Sequence, residues 1–273
     1  MELVVFDLDG TLLNARAEIS PYTRETLALL ADKGIAYTVA TGRTLHGARD
    51  ILAGHQFNLP QIFTNGVVIW DPRSGELALE NFLTLPEIEH VLHAALDKKV
   101  TPFISTVEAQ QRHVIYHFPL QNDTERQLLT ELSARSGIEI KSAARMSANA
   151  EITNISFLAD AAIIEAIDSE IKTEPDLIAY SAFALEGNNL KWMDIHHCDA
   201  SKGGAITNLR RQLGAKKIIC FGDSDNDLSM FAQADESYAP ENANAAIKAK
   251  ATAIIGHHDQ DGIAHYLRKR FEL

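Results

Sequence analysis

Residues 3–11 are Leu-Val-Val-Phe-Asp-Leu-Asp-Gly-Thr, and this stretch decides the fold. A short apolar run that ends at a glycine turn is typical of a buried strand rather than of a helix. The strand delivers Asp7 and Asp9 to the turn that follows it. Two like charges about 4 Å apart repel by roughly 4 kcal/mol at an effective dielectric near 20, and a divalent cation removes that repulsion. The stretch predicts a metal-assisted nucleophile, although Asp-Gly alone also fits a solvated turn.

The composition indicates a globular protein with a sizeable core. The chain has 273 residues, 46% of them hydrophobic, and a net charge of −12. This charge argues against a nucleic-acid or anionic-membrane partner, and a phosphate site would need local positive charge. Cys198 and Cys220 are too few for a disulfide framework and predict reduced thiols in a cytoplasmic protein. No stretch approaches the roughly 18 apolar residues of a membrane span.

Strands and helices alternate over the first 80 residues. Ser20-Pro21 begins a helix that ends at Gly34, because Ser is a good N-cap and Pro suits the first helical position. Further strands are predicted at 35–40 and 61–63, with a helix between them. Three strands separated by helices predict a parallel sheet, and ligands bind at the carboxyl edge of such sheets.

The middle of the chain has a different pattern, with strand-like runs mixed with helical ones. This favours an α+β unit with an antiparallel sheet. From residue 190 the first pattern returns, with a helix capped by Ser201 and a buried strand at 217–221. We therefore predict an α/β fold with a doubly wound, mainly parallel sheet from 1–80 and 190–273, and an inserted α+β domain at 81–189.

Polar groups suited to one task follow four of these elements. They are Asp7 and Asp9, then Thr41-Gly42, then Lys202, and then Gly222-Asp223-Ser224-Asp225-Asn226-Asp227. Each has an ordinary explanation alone, such as a plain turn, a solvated lysine or a charged helix N-terminus. All four in this order resemble the motifs of the haloacid dehalogenase superfamily, as found in its Cof-type sugar-phosphate phosphatases. Those enzymes carry Asp-x-Asp-Gly-Thr, Thr-Gly-Arg, Ser-Lys-Gly and Gly-Asp-x-x-Asn-Asp, with an α/β cap between the second and third motifs.

The resemblance covers essentially the whole chain and implies a Mg²⁺-dependent phosphomonoesterase that acts on small phosphorylated metabolites. Asp7 would be the nucleophile that forms an aspartyl phosphate, and Asp9 would act first as acid and then as base. Asp7, the backbone carbonyl of Asp9 and Asp223 would hold the metal. The groups expected to contact phosphoryl oxygens are Thr41, the N–H groups of Leu8 and Gly42, Lys202 and Asn226. Asp227 would orient Lys202 or a metal-bound water.

Substrate choice is expected in the inserted domain and nearby turns. The candidate residues are Arg43, Asn65, Glu186 and Asn188. Two alternatives remain open, a phosphomutase on the same scaffold and a non-catalytic module that binds phosphorylated ligands. The chain departs from the family pattern at Asp199-Ala200, where a glycine usually precedes Ser-Lys, and at Glu241-Asn242-Ala243. The run His196-His197-Cys198 suggests a soft metal, but extended backbone would keep these three side chains apart.

Overall fold

The structure is a computed structural model, which describes residues 1–134, 137–184 and 189–273. The strands are β1 (Glu2–Phe6), β2 (Ala36–Val39), β3 (Gln61–Phe63), β4 (Val68–Asp71), β5 (Glu76–Leu79), β6 (Phe103–Glu108), β7 (Arg112–His117), β8 (Ile138–Ser142), β9 (Ile152–Asp160), β10 (Leu177–Phe183), β11 (Leu190–His197), β12 (Lys217–Phe221), β13 (Glu236–Pro240) and β14 (Ala253–Ile255). The helices are α1 (Pro21–Asp32), α2 (Leu45–Leu52), α3 (Leu85–Asp97), α4 (Asp123–Ser133), α5 (Ala161–Ile171), α6 (Lys202–Leu213), α7 (Leu228–Gln233), α8 (Ala245–Lys250) and α9 (Gly262–Phe271). Among the described residues, no helix is long and apolar enough to cross a membrane.

The chain divides into two compact units. Residues 1–80 and 201–273 form one, here called the two-segment unit, and residues 81–200 form the other, the inserted unit. The boundary expected at 189/190 therefore differs from that of the structure by eleven residues. The reason is β11, which pairs with β9 and β10 and so lies in the inserted unit.

The two-segment unit is built on a five-stranded parallel sheet with β1 at an interior position. The strand order is β14-β13-β12-β1-β2, and the pairs are all parallel. Leu3 and Val5 pack with residues of α6 and α7 on one face. Phe6 contacts the Phe221 ring, which in turn contacts Tyr266 of α9. Because both faces of β1 are covered, its sequence is a continuous apolar run rather than an alternating one.

The third predicted strand, β3, departs from the expected parallel sheet. It belongs to a three-stranded antiparallel sheet of order β3-β4-β5. Its link to β2 is one parallel bridge between Ala40 and Ile62. The pairing with β4 prevails because a short turn at 64–66 returns the chain alongside β3 at once, a local pairing that a crossover connection does not offer.

The inserted unit contains a six-stranded sheet of order β10-β11-β9-β6-β7-β8. The pairs are antiparallel except for β7 with β8. Ile104 and Phe157 pack in one cluster with side chains of α3 and α5, and their neighbours Phe103 and Leu158 pack in a second with Leu128 of α4. Since successive strand residues point to opposite faces, helices cover both faces of this sheet. The predicted antiparallel character is present, and β8 and β11 were not expected.

Candidate active site

The turn after β1 brings Asp7 against the fourth motif. Asp7 is 5% exposed, and its backbone N–H donates to the carbonyl of Phe221 at the end of β12 (2.9 Å). Gly10 adopts a φ of +72°, and a Cβ there would lie 2.5 Å from Oδ2 of Asp223. Thr11 Oγ1 donates to Oδ1 of the same carboxylate at 3.0 Å. The Asp-Gly-Thr turn thus needs its glycine because a carboxylate from the neighbouring strand occupies that space.

Lys202 bridges the first and fourth motifs. Its side chain is fully buried, and Nζ lies 2.5 Å from Oδ1 of Asp7 and 2.7 Å from Oδ1 of Asp227. The other oxygen of Asp227 accepts from the backbone N–H groups of Asp223 (2.9 Å) and Ser224 (3.1 Å). A lysine held by two carboxylates and a carboxylate held by three donors have little rotational freedom. This cluster fixes the orientation of Asp7.

The geometry of the fourth motif depends on a close approach at its first residue. A Cβ on Gly222 would lie 2.5 Å from Cγ of Asp227, so only glycine lets the Asp227 side chain fold back under the turn. On the third motif, Ser201 caps α6 by accepting from the N–H of Gly204 (3.0 Å). The Ser201 cap starts the helix at Lys202 and so directs this residue into the cluster, although no glycine precedes it.

Burial and mutual repulsion shift the titration of these groups. Burial raises the pKa of Asp7 well above its usual value, and Asp227 and Asp223 add to that rise while Lys202 opposes it. Burial, and then the neighbouring Asp227, raise the pKa of Asp223 to about 6. Burial alone would lower the pKa of Lys202, but Asp227 and Asp7 outweigh it and raise that pKa. Lys202 is therefore cationic. Its single positive charge does not balance the charges of Asp7, Asp223 and Asp227.

The donor set fits a hard divalent cation. Ligand atoms of Asp7, Asp223 and Asp227 lie within 4.8 Å of one another. Both oxygens of Asp227 are engaged by Lys202 and the two backbone N–H groups, which leaves Asp7 and Asp223 to offer oxygens. Carboxylate oxygens are the ligands that Mg²⁺ prefers, and a cation here would offset both the burial and the repulsion that raise the two pKa values.

The second motif lies beside the fourth. Thr41 is 1% exposed, and its N–H donates to the carbonyl of Ile62 (3.0 Å). Asn226 Nδ2 donates to Oδ1 of Asn65 at 2.9 Å. A Cβ on Gly42 would lie 3.4 Å from the Asn65 amide and 3.6 Å from Asn226 Nδ2. The structure therefore brings Gly42, Asn65 and Asn226 together, with Thr41 at the adjoining strand end.

Asp9 faces away from the buried cluster. Its carboxylate accepts from Arg43 through Nε (2.7 Å, to Oδ2) and Nη2 (2.6 Å, to Oδ1). The Asp9 side chain is 55% exposed, and that of Arg43 is 27% exposed. This arrangement was not expected, since Arg43 was a candidate for substrate contact. The acidic side chain of Asp9 is absent from the possible metal group of Asp7, Asp223 and Asp227.

Two further residues of the site were missed in the sequence. Asn242 Nδ2 donates to the carbonyl of Gly10 (2.7 Å), and Asn242 Oδ1 accepts from the N–H of His258. The N–H of Asn244 donates to the carbonyl of Asp223 at 3.0 Å. The sequence feature that could have indicated Asn242 is the Pro-Glu-Asn-Ala segment that contains it. That segment was interpreted only as a departure from the family pattern. Of the remaining candidates, Leu8 is buried in the first turn, whereas Glu186 and Asn188 lie outside the described residues.

The His196-His197-Cys198 run does not remain extended. The backbone turns after β11, so that ligand atoms of His197, Cys198 and Asp199 lie within 4.8 Å of one another. His196 does not belong to this group, so the expectation that His196, His197 and Cys198 do not all face one ion is not contradicted; Asp199 joins the other two because the chain turns after His197. However, His197 Nδ1 accepts from the N–H of Asp199 (3.1 Å), and burial raises the pKa of the Cys198 thiol. Both features disfavour metal ligation there.

Known proteins resemble this chain in sequence along most of its length. The sequence model of the haloacid dehalogenase-like hydrolases matches residues 4–267. The chain belongs to that family. HMP-PP phosphatase of Cronobacter sakazakii is 28% identical over 271 residues, covering 97% of this chain and 94% of the relative. The 5-amino-6-(5-phospho-D-ribitylamino)uracil phosphatase YwtE of Bacillus subtilis is 27% identical over 288 residues, covering 98% and 97%.

Among solved structures, a haloacid dehalogenase-like hydrolase from Bacteroides thetaiotaomicron superposes with a TM-score of 0.78 at 23% identity, with 99% of each chain covered. This likeness shows the fold: a haloacid dehalogenase-like α/β unit with an inserted α+β unit. The predicted fold class and family are thereby confirmed.

Proposed function

We propose that this haloacid dehalogenase-like hydrolase is a Mg²⁺-dependent phosphomonoesterase of small metabolites. The observation that carries the proposal is the buried bridge from Asp7 through Lys202 to Asp227, beside Asp223. It holds one carboxylate in a fixed orientation next to a lysine and a possible metal site. The names of the two relatives, both phosphatases, support the same reaction class.

In the first transfer, Asp7 would attack the phosphorus of the ester. The new Asp7 O–P bond forms as the bond from phosphorus to the leaving oxygen breaks, and Asp9, which enters this step as the protonated acid, gives that oxygen its proton. In the second transfer, Asp9 takes a proton from water, whose oxygen attacks phosphorus and breaks the Asp7 O–P bond. Inorganic phosphate leaves, Asp7 is again a carboxylate, and Asp9 again carries the proton with which it began.

The remaining residues would stabilise charge on the transferred group. Lys202 supplies a fixed positive charge beside Asp7. Thr41, Gly42 and Asn226 would donate hydrogen bonds to phosphoryl oxygens, together with the N–H of Leu8. Mg²⁺, held by Asp7, Asp223 and the backbone carbonyl of Asp9, would neutralise phosphoryl charge when bound. Asp227 holds Lys202 in place.

The inserted unit would select the leaving group, and Asn65 and Arg43 are candidates on the two-segment unit. The relatives support this substrate class, since their names give small phosphorylated compounds as what they act on. We also propose a cytoplasmic location, since both cysteines are unpaired.

A phosphate-release screen of the purified chain against a broad panel of phosphorylated metabolites tests this function. We expect release from at least one small phosphomonoester with Mg²⁺, and its loss with EDTA. Activity that depends on a sugar bisphosphate, with no net phosphate release, would contradict hydrolysis and favour the mutase. Ligand-induced thermal stabilisation with no turnover across the panel would favour the binding module instead.

A further inference from the structure

The contact between Asp9 and Arg43 has a chemical role that depends on the proposed function. Both oxygens of the Asp9 carboxylate accept from one guanidinium, at 2.7 and 2.6 Å. Within residues 1–134, 137–184 and 189–273, no other side chain bonds to this carboxylate. An aspartate that is 55% exposed would otherwise rotate among several rotamers. The orientation of Asp9 is therefore fixed by Arg43.

Arg43 is itself held in place. Its Nη1 donates to the carbonyl of Gly47 at 3.2 Å, within the first turn of α2. Its backbone N–H donates to Thr41 Oγ1 (3.1 Å), and its carbonyl accepts from the N–H of Thr64 (2.9 Å). Three of the five guanidinium N–H donors are thus engaged within the protein. The guanidinium is planar and is anchored through Nη1 to Gly47. It therefore fixes the position of the Asp9 carboxylate that is bound to its Nε and Nη2.

We propose that Arg43 is a positioning residue for Asp9, which holds the acid–base carboxylate in one orientation beside the Asp7 turn. The alternative, that Arg43 serves only to bind the leaving group, leaves its two bonds to Asp9 without a role. Proton transfer depends on donor geometry, so loss of the fork slows the steps that use Asp9 and spares those that do not. Substrates whose leaving groups differ in their need for a proton therefore test the role of Arg43.

The experiment measures single-turnover rates, with enzyme in excess, on an alkyl phosphate and on p-nitrophenyl phosphate. The first transfer to Asp7 needs a proton donor for an alkoxide but not for p-nitrophenolate. We expect Arg43→Gln to slow the alkyl phosphate about tenfold or more, and to leave p-nitrophenolate release within about twofold. Arg43→Lys, which keeps the charge but not the planar fork, is expected to fall between Arg43→Gln and the unaltered protein. Equal losses on both substrates would overturn the inference.

A double-mutant cycle with Asp9→Asn separates positioning from substrate binding. If Arg43 acts through Asp9, Arg43→Gln causes no further loss of the alkyl phosphate rate in the Asp9→Asn background. Multiplicative losses would show that Arg43 acts independently and would overturn the inference while leaving the proposed function intact. If Asp9→Asn alone spares the alkyl phosphate, the acid assignment in the proposed function fails and the inference fails with it.

The matched control is Arg210→Gln. Arg210 also pairs with an aspartate, Asp235, at 3.2 Å and is partly exposed, but it lies in the last turn of α6, at the opposite end of that helix from Lys202. We expect Arg210→Gln to leave both single-turnover rates unchanged. If Arg43→Gln unsettles the start of α2, thermal melting reveals it, and Arg43→Lys, which can still donate one bond to Asp9, then carries the test.

Discussion

Asp7 and Asp9 lie two residues apart on one turn, yet their surroundings are opposite. Asp7 is 5% exposed and pairs with a lysine that is fully buried. Asp9 has a half-exposed carboxylate and pairs with an arginine that solvent also reaches. A buried charge must be paired, because removing its partner leaves an uncompensated charge in a low-dielectric environment. An exposed ion pair is screened by solvent and contributes little stability. The buried side of the site is therefore rigid, and the open side is accessible to water, which suits the acid–base role that we propose for Asp9.

The largest expected effect is on catalysis at the buried side. Asp7→Asn removes the proposed nucleophile, and we expect p-nitrophenyl phosphate turnover to fall at least ~10³-fold. The fold should survive, because Lys202 keeps Asp227 as its partner and the cluster loses one negative charge that burial opposes. Steady-state assays and thermal melting of the same preparation check both parts. Retained turnover would remove the nucleophile assignment.

The next effect contrasts the stability of the two ion pairs. Lys202→Met leaves Asp7 and Asp227 buried without their countercharge, and we expect a loss of about 3–5 kcal/mol in the free energy of unfolding. Arg43→Gln opens only the exposed pair and should cost about 1 kcal/mol or less. Urea unfolding in the absence of Mg²⁺ measures both. Equal losses would contradict the distinction between the two sides, and Lys202→Arg, which keeps the charge, provides a second test if Lys202→Met does not fold.

A smaller effect concerns pH and metal. The pKa of Asp223 is raised to about 6, so this carboxyl becomes protonated as pH falls through that value. Only the carboxylate ligates a cation, and Mg²⁺ must then displace a proton. We expect the Mg²⁺ concentration for half-maximal activity to rise as pH falls below about 6, by up to ~10-fold per pH unit. Asp223→Asn should weaken Mg²⁺ binding at pH 8 and reduce that dependence, with Asp7, whose pKa is also raised, contributing what remains. An unchanged Mg²⁺ requirement between pH 5 and 7 in the unaltered protein would contradict the proposed role of Asp223.

Much of the architecture was predictable from local chemistry. The apolar run before Asp7, the Ser20-Pro21 helix start and the Ser201 cap each act within one turn of chain, and β1, α1 and α6 follow them. The pairing of β3 was not predictable from its own residues, since a strand of only three residues, Gln61–Phe63, fits either a parallel or an antiparallel neighbour. β11 was missed because the polar Lys191, Asp194 and His196 obscure its strand pattern.

For the site, the order of the motifs predicted which residues meet but not how each is held. Asp7, Asp223 and Asp227 are clustered because the parallel strands β1 and β12 end at one edge of a sheet, and Lys202 joins them from the first turn of α6. By contrast, Asn242 reaches Gly10 from the loop after β13, and the fork from Arg43 to Asp9 joins two turns 34 residues apart. Such contacts depend on side-chain rotamers in the folded state, which a single sequence does not specify.

The central claim is that Asp7 carries the phosphoryl group between two transfers. Rapid acid quench during turnover of a radiolabelled phosphomonoester, followed by peptide mapping, tests it most directly. We predict an acyl phosphate that is labile to hydroxylamine and maps to the peptide containing Asp7, and that is missing in Asp7→Asn. Steady turnover with label on another residue, or with no labelled protein at any quench time, would contradict the account.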